Sequence, residues 1–261
     1  MRRSKYSAPS VKKAISILRA IVDSSTGLGV SELAKELSLG KSTVHGITSA
    51  LEEMGLLIRE GHQKKYRVGY TLLELGRKAH ARMELREVAR IPMERLMETV
   101  GETVFLGALN GDHVTILDVL ESRGEFKITS PPGTRLPLLA GATARVFLAQ
   151  VEGRKAIEIV KKMGLTRYTS KSVTDPGRFL REVEETRRRG YAVDSEEYIL
   201  GVRAIAAPVP IPSHPPAAIW VVGFLSTLDD KKVKTAVVEI QKAAHEIDHA
   251  FRTPIGWKRG E

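Results

Sequence analysis

Two histidines and a glutamate near the C-terminus have the spacing of a zinc-hydrolase site. In the stretch AHEIDHAF, residues 244–251, His245, Glu246 and His249 form an H-E-x-x-H pattern. On a helix the two imidazoles lie one turn apart, where they can hold zinc while the glutamate acts as general base. A catalytic zinc also needs a third protein ligand and a sheltered position. The pattern therefore suggests a zinc hydrolase, and the surrounding helix decides whether that hypothesis is tenable.

The helical periodicity turns both histidines away from the predicted core. At about 100° per residue, His245 and His249 point roughly 140–180° away from Ile240, toward water. Residues 252–261 contain no histidine and a single acid, although a third ligand from an upstream stretch stays open. We therefore predict that the chain is not an enzyme and has no metal site and no cofactor. The apolar side of this helix comprises Val233, Val237, Ile240, Ala244, Ile247 and Phe251.

A second acidic cluster, Asp194-Ser195-Glu196-Glu197, also invites a metal-site interpretation. Its spacing fits no defined cation-binding loop, and no second cluster supports it. The simpler interpretation places Asp194 in a pocket and the two glutamates at the surface or in ion pairs. The sequence contains no nucleophile elbow, Walker loop or dinucleotide fingerprint.

Length, composition and charge favour a two-part protein that binds a polyanion. The 261 residues suffice for two domains, and the absence of cysteine excludes disulfides and thiolate metal sites. No run of 18 apolar residues predicts a membrane span and the basic start lacks an apolar signal stretch, so we expect a cytoplasmic protein. Residues 1–90 carry 17 Lys/Arg against 9 Asp/Glu, a net charge of +8, whereas residues 91–261 carry 24 against 22. This asymmetry favours an N-terminal nucleic-acid-binding module, with a merely solubilising surface as the alternative.

The first seventy residues have the pattern of a winged helix-turn-helix. Residues 11–23 place Val11, Ala14, Ile15, Leu18 and Ile21/Val22 on one helical face, after a candidate N-cap at Ser10. A second helix, capped by Ser31, and a third, capped by Ser42 and ended by Gly55, flank the short turn Ser38-Leu39-Gly40. Val44, Ile47, Leu51 and Met54 form the apolar stripe of the third helix. Two strands around Gly61-His62-Gln63 complete the wing.

The remainder predicts a linker helix and an α+β domain. Residues 71–96 read as mostly helical, with a break or restart at Pro92. Strands at 103–110 and 113–122 around Gly111-Asp112, a third at FKITS (126–130), and later strands at YAVD, VRAIAAPVPI and AAIWVVGFLS predict an antiparallel sheet. Helices read at ATARVFLAQV, RKAIEIVKKM, GRFLREVEETRRRG and from Asp229 to about Phe251. We expect a DNA-binding domain at 1–70, a linker helix at 71–90 and a second domain at 91–261.

With these stretches in place, the chain resembles the IclR family of bacterial transcriptional regulators over nearly its whole length. The matching segments are SELAKELSLGKSTVHGITSALEEMGLL with YRVGYTLLELG, PPGTRLPLLAGATARVFLA, and RRRGYAVDSEEYILGVRAIAAPV. The resemblance implies an N-terminal winged helix-turn-helix and a C-terminal GAF-like effector-binding domain. It also implies homodimers or homotetramers on double-stranded operator DNA, controlled by a small-molecule effector.

A recognition helix directs the side chains of its first turns into the major groove. The candidates here are Lys41, Ser42, Thr43, His45 and Ser49. For two of them there is an alternative to DNA contact: Ser42 as a helix cap and His45 as a solvated surface residue. Gly46 departs from the family, which commonly has arginine there, and this puts one base contact in doubt. Candidate contacts to phosphate or the minor groove are Arg59, Lys64, Lys65 and Arg67 on the wing and Arg2, Arg3 and Lys5 in an N-terminal arm.

The resemblance also implies an effector pocket between the sheet and the GTRLPLLAGATAR segment. Its matching positions are Ile128, Leu139, Gly141, Ala142, Thr143, Asp194, Val202, Ala204, Trp220 and Val222. For the aliphatic members a plain core role is the alternative.

Two departures from the family make this pocket more apolar. Family members that bind small oxoacids carry cysteine at position 204 and serines at 220 and 222, where this chain has Ala204, Trp220 and Val222. We therefore predict a hydrophobic or aromatic effector, such as an aromatic acid, rather than glyoxylate or pyruvate. Two alternatives remain at this point: a winged-helix protein-interaction scaffold without ligand, in which Trp220 fills the cavity, and the zinc hydrolase.

Overall fold

The computed structural model describes residues 8–60, 64–81, 84–211 and 214–252. The chain divides into two compact units, Met1–Arg82 and Met83–Glu261. The stretch 71–90 was predicted as a single linker helix. In the structure it contains most of the helix Tyr70–Ala81 and the start of the helix Glu84–Val100. Residues 82 and 83 between them lie outside the described residues. Each unit is built around its own core.

The first unit is a winged helix-turn-helix. Three helices pack with a small antiparallel sheet in the strand order β1-β3-β2, whose first strand lies between α1 and α2, and a fourth helix follows the sheet. Its elements are α1 (Pro9–Asp23), β1 (Leu28–Gly29), α2 (Val30–Glu36), α3 (Lys41–Glu53), β2 (Leu57–Glu60), β3 (Lys65–Val68) and α4 (Tyr70–Ala81). Because β1 is only two residues long, the sequence pattern gives no sign of it. The predicted turn residues 61–63 lie outside the described residues.

The core of this unit uses a face of α1 that overlaps the predicted one only in part, at Ala14, Leu18 and Ile21. Ile17 and Ile21 are fully buried, whereas Val11 is 62%, Ile15 47% and Val22 55% exposed. The helix has apolar residues around most of its circumference, so its periodicity fits two overlapping stripes. Packing against α3 and β3 selects one of them. In α3, Val44 and Leu51 are buried as predicted, but Met54 lies beyond the helix end and is 65% exposed.

None of the three serines predicted as N-caps occupies that position. Helix α1 starts two residues earlier, because Pro9 is its first residue and Ala8 is the cap, so Ser10 lies inside the helix. Gly29 caps α2 in place of Ser31, and its N–H donates to Glu32 Oε2 at 2.7 Å. Gly40 caps α3, which leaves Ser42 exposed in the first turn. At both of these helices a glycine in an ordinary extended conformation therefore occupies the cap position, two residues before the expected serine.

The second unit contains a six-stranded antiparallel sheet in the order β6-β5-β4-β9-β8-β7. Helix α5 precedes it, three helices are inserted after β6, and the longest helix closes the chain of elements. The elements are α5 (Glu84–Val100), β4 (Thr103–Asn110), β5 (His113–Leu120), β6 (Arg135–Pro137), α6 (Gly141–Ala149), α7 (Gly153–Met163), α8 (Pro176–Arg189), β7 (Ala192–Ser195), β8 (Val202–Val209), β9 (Ala217–Phe224) and α9 (Asp230–Arg252). The α+β fold class predicted from the sequence is confirmed.

Alternate residues of the central strands point to opposite faces of this sheet and fill two separate cores. On one face Leu106, Ile205 and Val221 pack with α5 and α9. On the other face Phe105 and Trp220 pack with α6, α7 and α8. Both faces are therefore covered, as the nearly uninterrupted apolar character of β4 and β9 requires.

Two local predictions in the second unit are wrong. Helix α5 runs through Pro92 without a break, and Pro92 is buried beside Met93 on the face that packs into the core. The FKITS stretch at 126–130 is irregular rather than a strand. The prolines at 131 and 132 that follow it carry no N–H, and the chain instead pairs with β5 at β6, where Val114 faces Leu136.

Among the helices of the described residues, none is long and apolar enough to span a membrane.

Candidate effector pocket and DNA-binding surface

The register of the sheet builds the floor of a cavity in the second unit. Asp194 of β7 lies opposite Ala204 of β8, and Ala204 lies opposite Val222 of β9. Trp220 lies two residues before Val222 on β9, hence on the same face, and is opposite Phe105 of β4. Since alternate residues share a face, these side chains all point toward α6 and form one floor.

The indole of Trp220 forms part of the cavity wall without filling the cavity. It stacks on the Phe105 ring with centroids 5.6 Å apart and an interplanar angle of 12°. Gly107 makes room for it, because a Cβ at this position would lie 2.6 Å from Trp220 Cη2. A cavity of about 250 Å³ remains beside the rings.

The opposite wall is the N-terminus of α6. Gly141 has a φ of +59° and its backbone abuts Asp194, since a Cβ there would lie 2.3 Å from Asp194 Oδ2. Ala142 and Thr143 follow, and Thr143 Oγ1 donates to the Ala140 carbonyl at 3.0 Å. Among the described residues, no side chain caps the N-terminus of α6. Its first N–H groups are therefore available to an anionic group of a ligand.

Asp194 is an acid held in an apolar setting. It is 4% exposed, and burial raises its pKa to about 6 even though the N–H of Glu197 donates to Asp194 Oδ1 at 2.7 Å and lowers the pKa. The charge of Glu197 raises the pKa further, and that of Arg145 lowers it. Near neutral pH this carboxyl is therefore mostly ionised and accepts hydrogen bonds, and below about pH 6 it becomes a donor.

The structure brings together nearly all the residues predicted for the pocket. Ile128, Gly141, Ala142, Thr143, Asp194, Val202, Ala204, Trp220 and Val222 all line the same cavity. Leu139 does not line it, because it is turned into the core beneath α6. Ligand binding by these residues stays a prediction. The cavity is also lined by residues that no sequence pattern singles out, namely Phe105, Ile116, Thr129, Ser130, Leu136, Ala140, Tyr198 and Ile199.

In the first unit the predicted recognition residues share one helix. Lys41, Ser42 and His45 are exposed on α3, and Thr43 and Ser49 are half-buried. The opposite side of α3 holds Val44, Leu51 and the polar Thr48, whose hydroxyl donates to the Val44 carbonyl at 2.9 Å. At Gly46 a Cβ would meet no atom within 4 Å, so this exposed site has space for a side chain that the chain does not supply.

The four predicted wing cations differ in their partners. Arg67 Nε lies 2.7 Å from Glu60 Oε2, and Lys65 Nζ lies 3.5 Å from Glu32 Oε1. Arg59 lies over the ring of Tyr66, 5.9 Å from its centroid, and Lys64 is exposed with a φ of +51°. The wing thus presents Arg59 and Lys64 directly, whereas Lys65 and Arg67 first have to leave a carboxylate. Arg2, Arg3 and Lys5 lie outside the described residues.

Both parts of the chain match family descriptions in the order that the fold requires. Residues 10–61 match the IclR helix-turn-helix domain, and residues 77–249 match the Bacterial transcriptional regulator IclR C-terminal domain. The chain belongs to the IclR family of bacterial transcriptional regulators. The resemblance noted from the sequence is thereby confirmed.

Named relatives of this IclR-family chain are transcriptional regulators. The HTH-type transcriptional regulator BhcR of Paracoccus denitrificans (strain Pd 1222) is 34% identical over 91% of this chain and 85% of its own length. The Transcriptional repressor IclR of Escherichia coli (strain K12) is 28% identical over 93% and 89%. Among solved structures, an IclR homolog from Microbacterium hydrocarbonoxydans complexed with 4-hydroxybenzoate is 25% identical, with a TM-score of 0.74 over 93% of this chain and 99% of that one.

These relatives also answer the question raised by the H-E-x-x-H pattern. They are regulators and not enzymes, in agreement with the prediction for this IclR-family chain. His245 and His249 are exposed on α9, while Ile240 and Ile247 face the core. Glu246 forms an ion pair with Arg95, with Nη1 and Oε2 3.4 Å apart. No group of three or more potential metal ligands occurs among the described residues.

Proposed function

We propose that this IclR-family protein represses transcription by binding operator DNA as a homo-oligomer, and that a small acid carrying an aromatic ring controls this binding from the second unit. The observation that carries the effector proposal is the cavity in which Trp220 and Phe105 form an apolar wall opposite Asp194 and the first turn of α6. A ring fits the first wall, and a carboxylate or hydroxyl fits the polar end. A repressor of this kind acts in the cytoplasm, where the bacterial DNA is.

The geometry favours a ligand over a ligand-free scaffold. If Trp220 filled the cavity, no space would remain beside it, yet the stacked rings leave about 250 Å³. This volume is near the lower end of the ~300–1,000 Å³ that small-molecule sites occupy, which suits a single substituted ring. The relative from Microbacterium hydrocarbonoxydans, complexed with 4-hydroxybenzoate, supports this ligand class.

For the DNA end we propose that Lys41, Ser42, Thr43, His45 and Ser49 face the major groove, with Arg59, Lys64, Lys65 and Arg67 on phosphate or in the minor groove. The exposure of α3 opposite its buried stripe supports the first set. Arg2 and Arg3 are proposed to extend the phosphate contacts. Effector control follows from differential affinity, because a ligand shifts a DNA-binding equilibrium only as far as it prefers one arrangement of the protein.

The effector proposal is tested by isothermal titration calorimetry of the full chain with 4-hydroxybenzoate and with pyruvate. We expect micromolar-range binding of the aromatic acid and at least about tenfold weaker binding of pyruvate, since pyruvate leaves the Phe105–Trp220 wall without a partner. Tight pyruvate binding without aromatic binding would refute the proposed ligand class.

The DNA proposal is tested by fluorescence anisotropy with a fragment of the promoter upstream of the protein's own gene. Replacing both Lys41 and His45 by alanine is expected to weaken binding by tenfold or more, about 1–3 kcal/mol per base contact. Lys78→Ala, an exposed lysine on α4, is the matched control. Equal effects of the two changes would show that α3 does not read the operator.

A further inference from the structure

We propose that Arg145 is a positioning residue for the effector pocket, because it fixes the segment 194–198 against α6 in the conformation that binds ligand. This inference rests on the proposed function and adds a residue that does not itself line the cavity. Arg145 is on α6, two residues after the wall formed by Gly141, Ala142 and Thr143. The segment it holds carries Asp194 and Tyr198, which belong to the opposite side of the same cavity.

Arg145 is buried and uses its whole guanidinium group. The residue is 2% exposed. Its Nε lies 2.8 Å from Glu182 Oε2 on α8, Nη1 lies 3.3 Å from the Val193 carbonyl on β7, and Nη2 bonds to the carboxylate of Glu197. Burial opposes the charged form, but the bond to Glu197 and the charges of Glu197 and Glu182 outweigh it and raise the pKa of Arg145. One side chain thereby joins α6 to α8, to β7 and to the segment beyond β7.

The contact with Glu197 reaches the pocket through the backbone. The N–H of Glu197 donates to Asp194 Oδ1 at 2.7 Å, which orients the carboxylate of Asp194 with its other oxygen against Gly141. Tyr198 is the next residue and lines the cavity. If Glu197 moves, the carboxylate of Asp194 loses this hydrogen bond and Tyr198 moves with its chain neighbour, while β7 keeps the backbone of Asp194 in the sheet.

Other parts of the unit also hold this segment. Lys171 bonds to the carboxylate of Glu196, and Arg203 Nε of β8 lies 3.3 Å from Ser195 Oγ. Thr169 Oγ1 donates to the Glu196 carbonyl at 2.7 Å, and Ser172 Oγ donates to the Glu197 carbonyl at 2.7 Å. Glu196 has a φ of +67°, an uncommon conformation for a residue with a side chain. These partners lie at 169–172 and on β8, whereas Arg145 of α6 holds the side chain of Glu197. Among the described residues this ion pair is therefore what ties the side chain of Glu197 to α6.

A lysine cannot take over this role. Its ammonium is a point charge on a flexible stem, whereas the planar guanidinium donates in three fixed directions to three different elements. Arg145→Lys therefore keeps the positive charge between Glu182 and Glu197 but loses the geometry. Arg178→Lys is a matched control, because Arg178 Nε donates to the other oxygen of the same Glu182 at 2.9 Å from an exposed position.

The test that needs no ligand is amide hydrogen exchange measured by mass spectrometry on the full chain. In Arg145→Lys we expect exchange in 194–199 to accelerate by about tenfold or more, while exchange in 103–120 of β4 and β5 stays unchanged, because breaking a buried ion pair frees the segment it holds. Arg178→Lys is expected to change neither. Equal acceleration in both segments would assign Arg145 a general structural role and overturn the proposal, as would no acceleration in either.

Glu197→Gln provides a second variant if Arg145→Lys folds poorly. The amide still accepts from Arg145, and the backbone N–H to Asp194 is retained, so an acceleration confined to 194–199 and smaller than that in Arg145→Lys is expected. Unchanged exchange in Glu197→Gln together with a misfolded Arg145→Lys would count against the proposal.

Calorimetry with 4-hydroxybenzoate supplies the functional measurement. We expect Arg145→Lys to weaken binding by about tenfold and Arg178→Lys by less than about twofold. Unchanged affinity in Arg145→Lys would overturn the positioning role. If 4-hydroxybenzoate does not bind the wild-type protein, the proposed ligand class fails, and the exchange experiment still decides the role of Arg145.

Discussion

A carboxylate that is only 4% exposed costs folding free energy whenever it is ionised. Asp194 is such a group, and burial raises its pKa to about 6 from 3.8. A group whose pKa is higher in the folded than in the unfolded state contributes stability that is fully present below the unfolded pKa. That contribution is lost as the pH rises through the folded pKa. For Asp194 the window is therefore roughly pH 4 to 6.

We predict that Asp194→Asn removes this pH dependence. The asparagine keeps the acceptor for the Glu197 N–H but cannot ionise, so the stability advantage of the variant over wild type should grow as the pH rises. Above pH 6 the pH-dependent part of this difference in unfolding free energy reaches about 3 kcal/mol, because the pKa rises from 3.8 to about 6 and each pKa unit corresponds to about 1.4 kcal/mol. The measurement is urea unfolding of both proteins between pH 4 and 8. A stability difference that is constant with pH would contradict the assignment.

Gly107 supports a second prediction at this scale. A methyl group there would lie 2.6 Å from Trp220 Cη2 and 2.9 Å from the Thr115 carbonyl, so Gly107→Ala has to displace the indole. We expect 4-hydroxybenzoate affinity to fall by about tenfold and the fluorescence of Trp220 to change. Gly153→Ala is the control, since the nearest atom to its Cβ is 3.9 Å away. An unchanged affinity in Gly107→Ala would mean that the indole position does not matter for the ligand.

Among the elements, the wing contains a carboxylate that would compete with DNA for Arg67, one of the proposed phosphate contacts. Glu60 of β2 forms an ion pair with Arg67 on the neighbouring strand β3, with Nε and Oε2 2.7 Å apart, and both side chains are about half exposed. Such a surface pair is weak, so a phosphate can replace the carboxylate. Glu60 therefore lowers the effective positive charge of the wing.

We predict that Glu60→Gln strengthens operator binding by about three- to tenfold at low salt and steepens the salt dependence by about one unit of log–log slope. Glu74→Gln on α4 changes the net charge equally and is the control. Anisotropy titrations at several salt concentrations measure both quantities. Identical slopes for the two variants would show that Arg67 does not contact phosphate.

The elements also show what a single sequence can and cannot specify. Strands β4 and β5 and helices α7 to α9 follow from periodicity and turn residues, because each has one clear pattern. Helix α1 has two overlapping apolar stripes, and only packing against α3 and β3 decides that Ile17 is buried. The FKITS stretch alternates like a strand, but the prolines after it and the pairing of β6 with β5 decide otherwise.

The residues of the pocket likewise fall into two groups, those that the sequence predicts and those that it does not. The segments shared with the family carry its α6 side and its β8–β9 floor, so these residues could be predicted from the sequence. Phe105 depends on the pairing of β4 with β9, and Arg145 depends on partners 37 to 52 residues away in the chain. Contacts between residues so far apart in the sequence depend on the topology of the fold, and no local sequence pattern predicts them.

At the level of the whole molecule, the charge is concentrated where DNA is proposed to bind. Residues 1–90 carry a net charge of +8, from 17 Lys/Arg and 9 Asp/Glu, although the whole chain carries only +10. We predict that operator affinity falls by about 10³-fold or more between 50 and 200 mM salt, since an oligomer with two winged helices neutralises at least about six phosphates. Sedimentation of the free protein checks the proposed oligomer. An affinity that is flat with salt would exclude DNA binding through this surface.

The two cores of the second unit have a consequence for how such proteins diversify. Trp220 faces the cavity, while its chain neighbours Ile219 and Val221 face α5 and α9 in a fully formed core on the reverse of the sheet. Substitutions at every second residue of β8 and β9 can therefore remodel what the cavity accepts while the residues between them keep the domain assembled. Relatives can therefore come to respond to different small molecules through single substitutions on the cavity face. The core on the reverse face of the sheet, which stabilises the domain, stays unchanged by them.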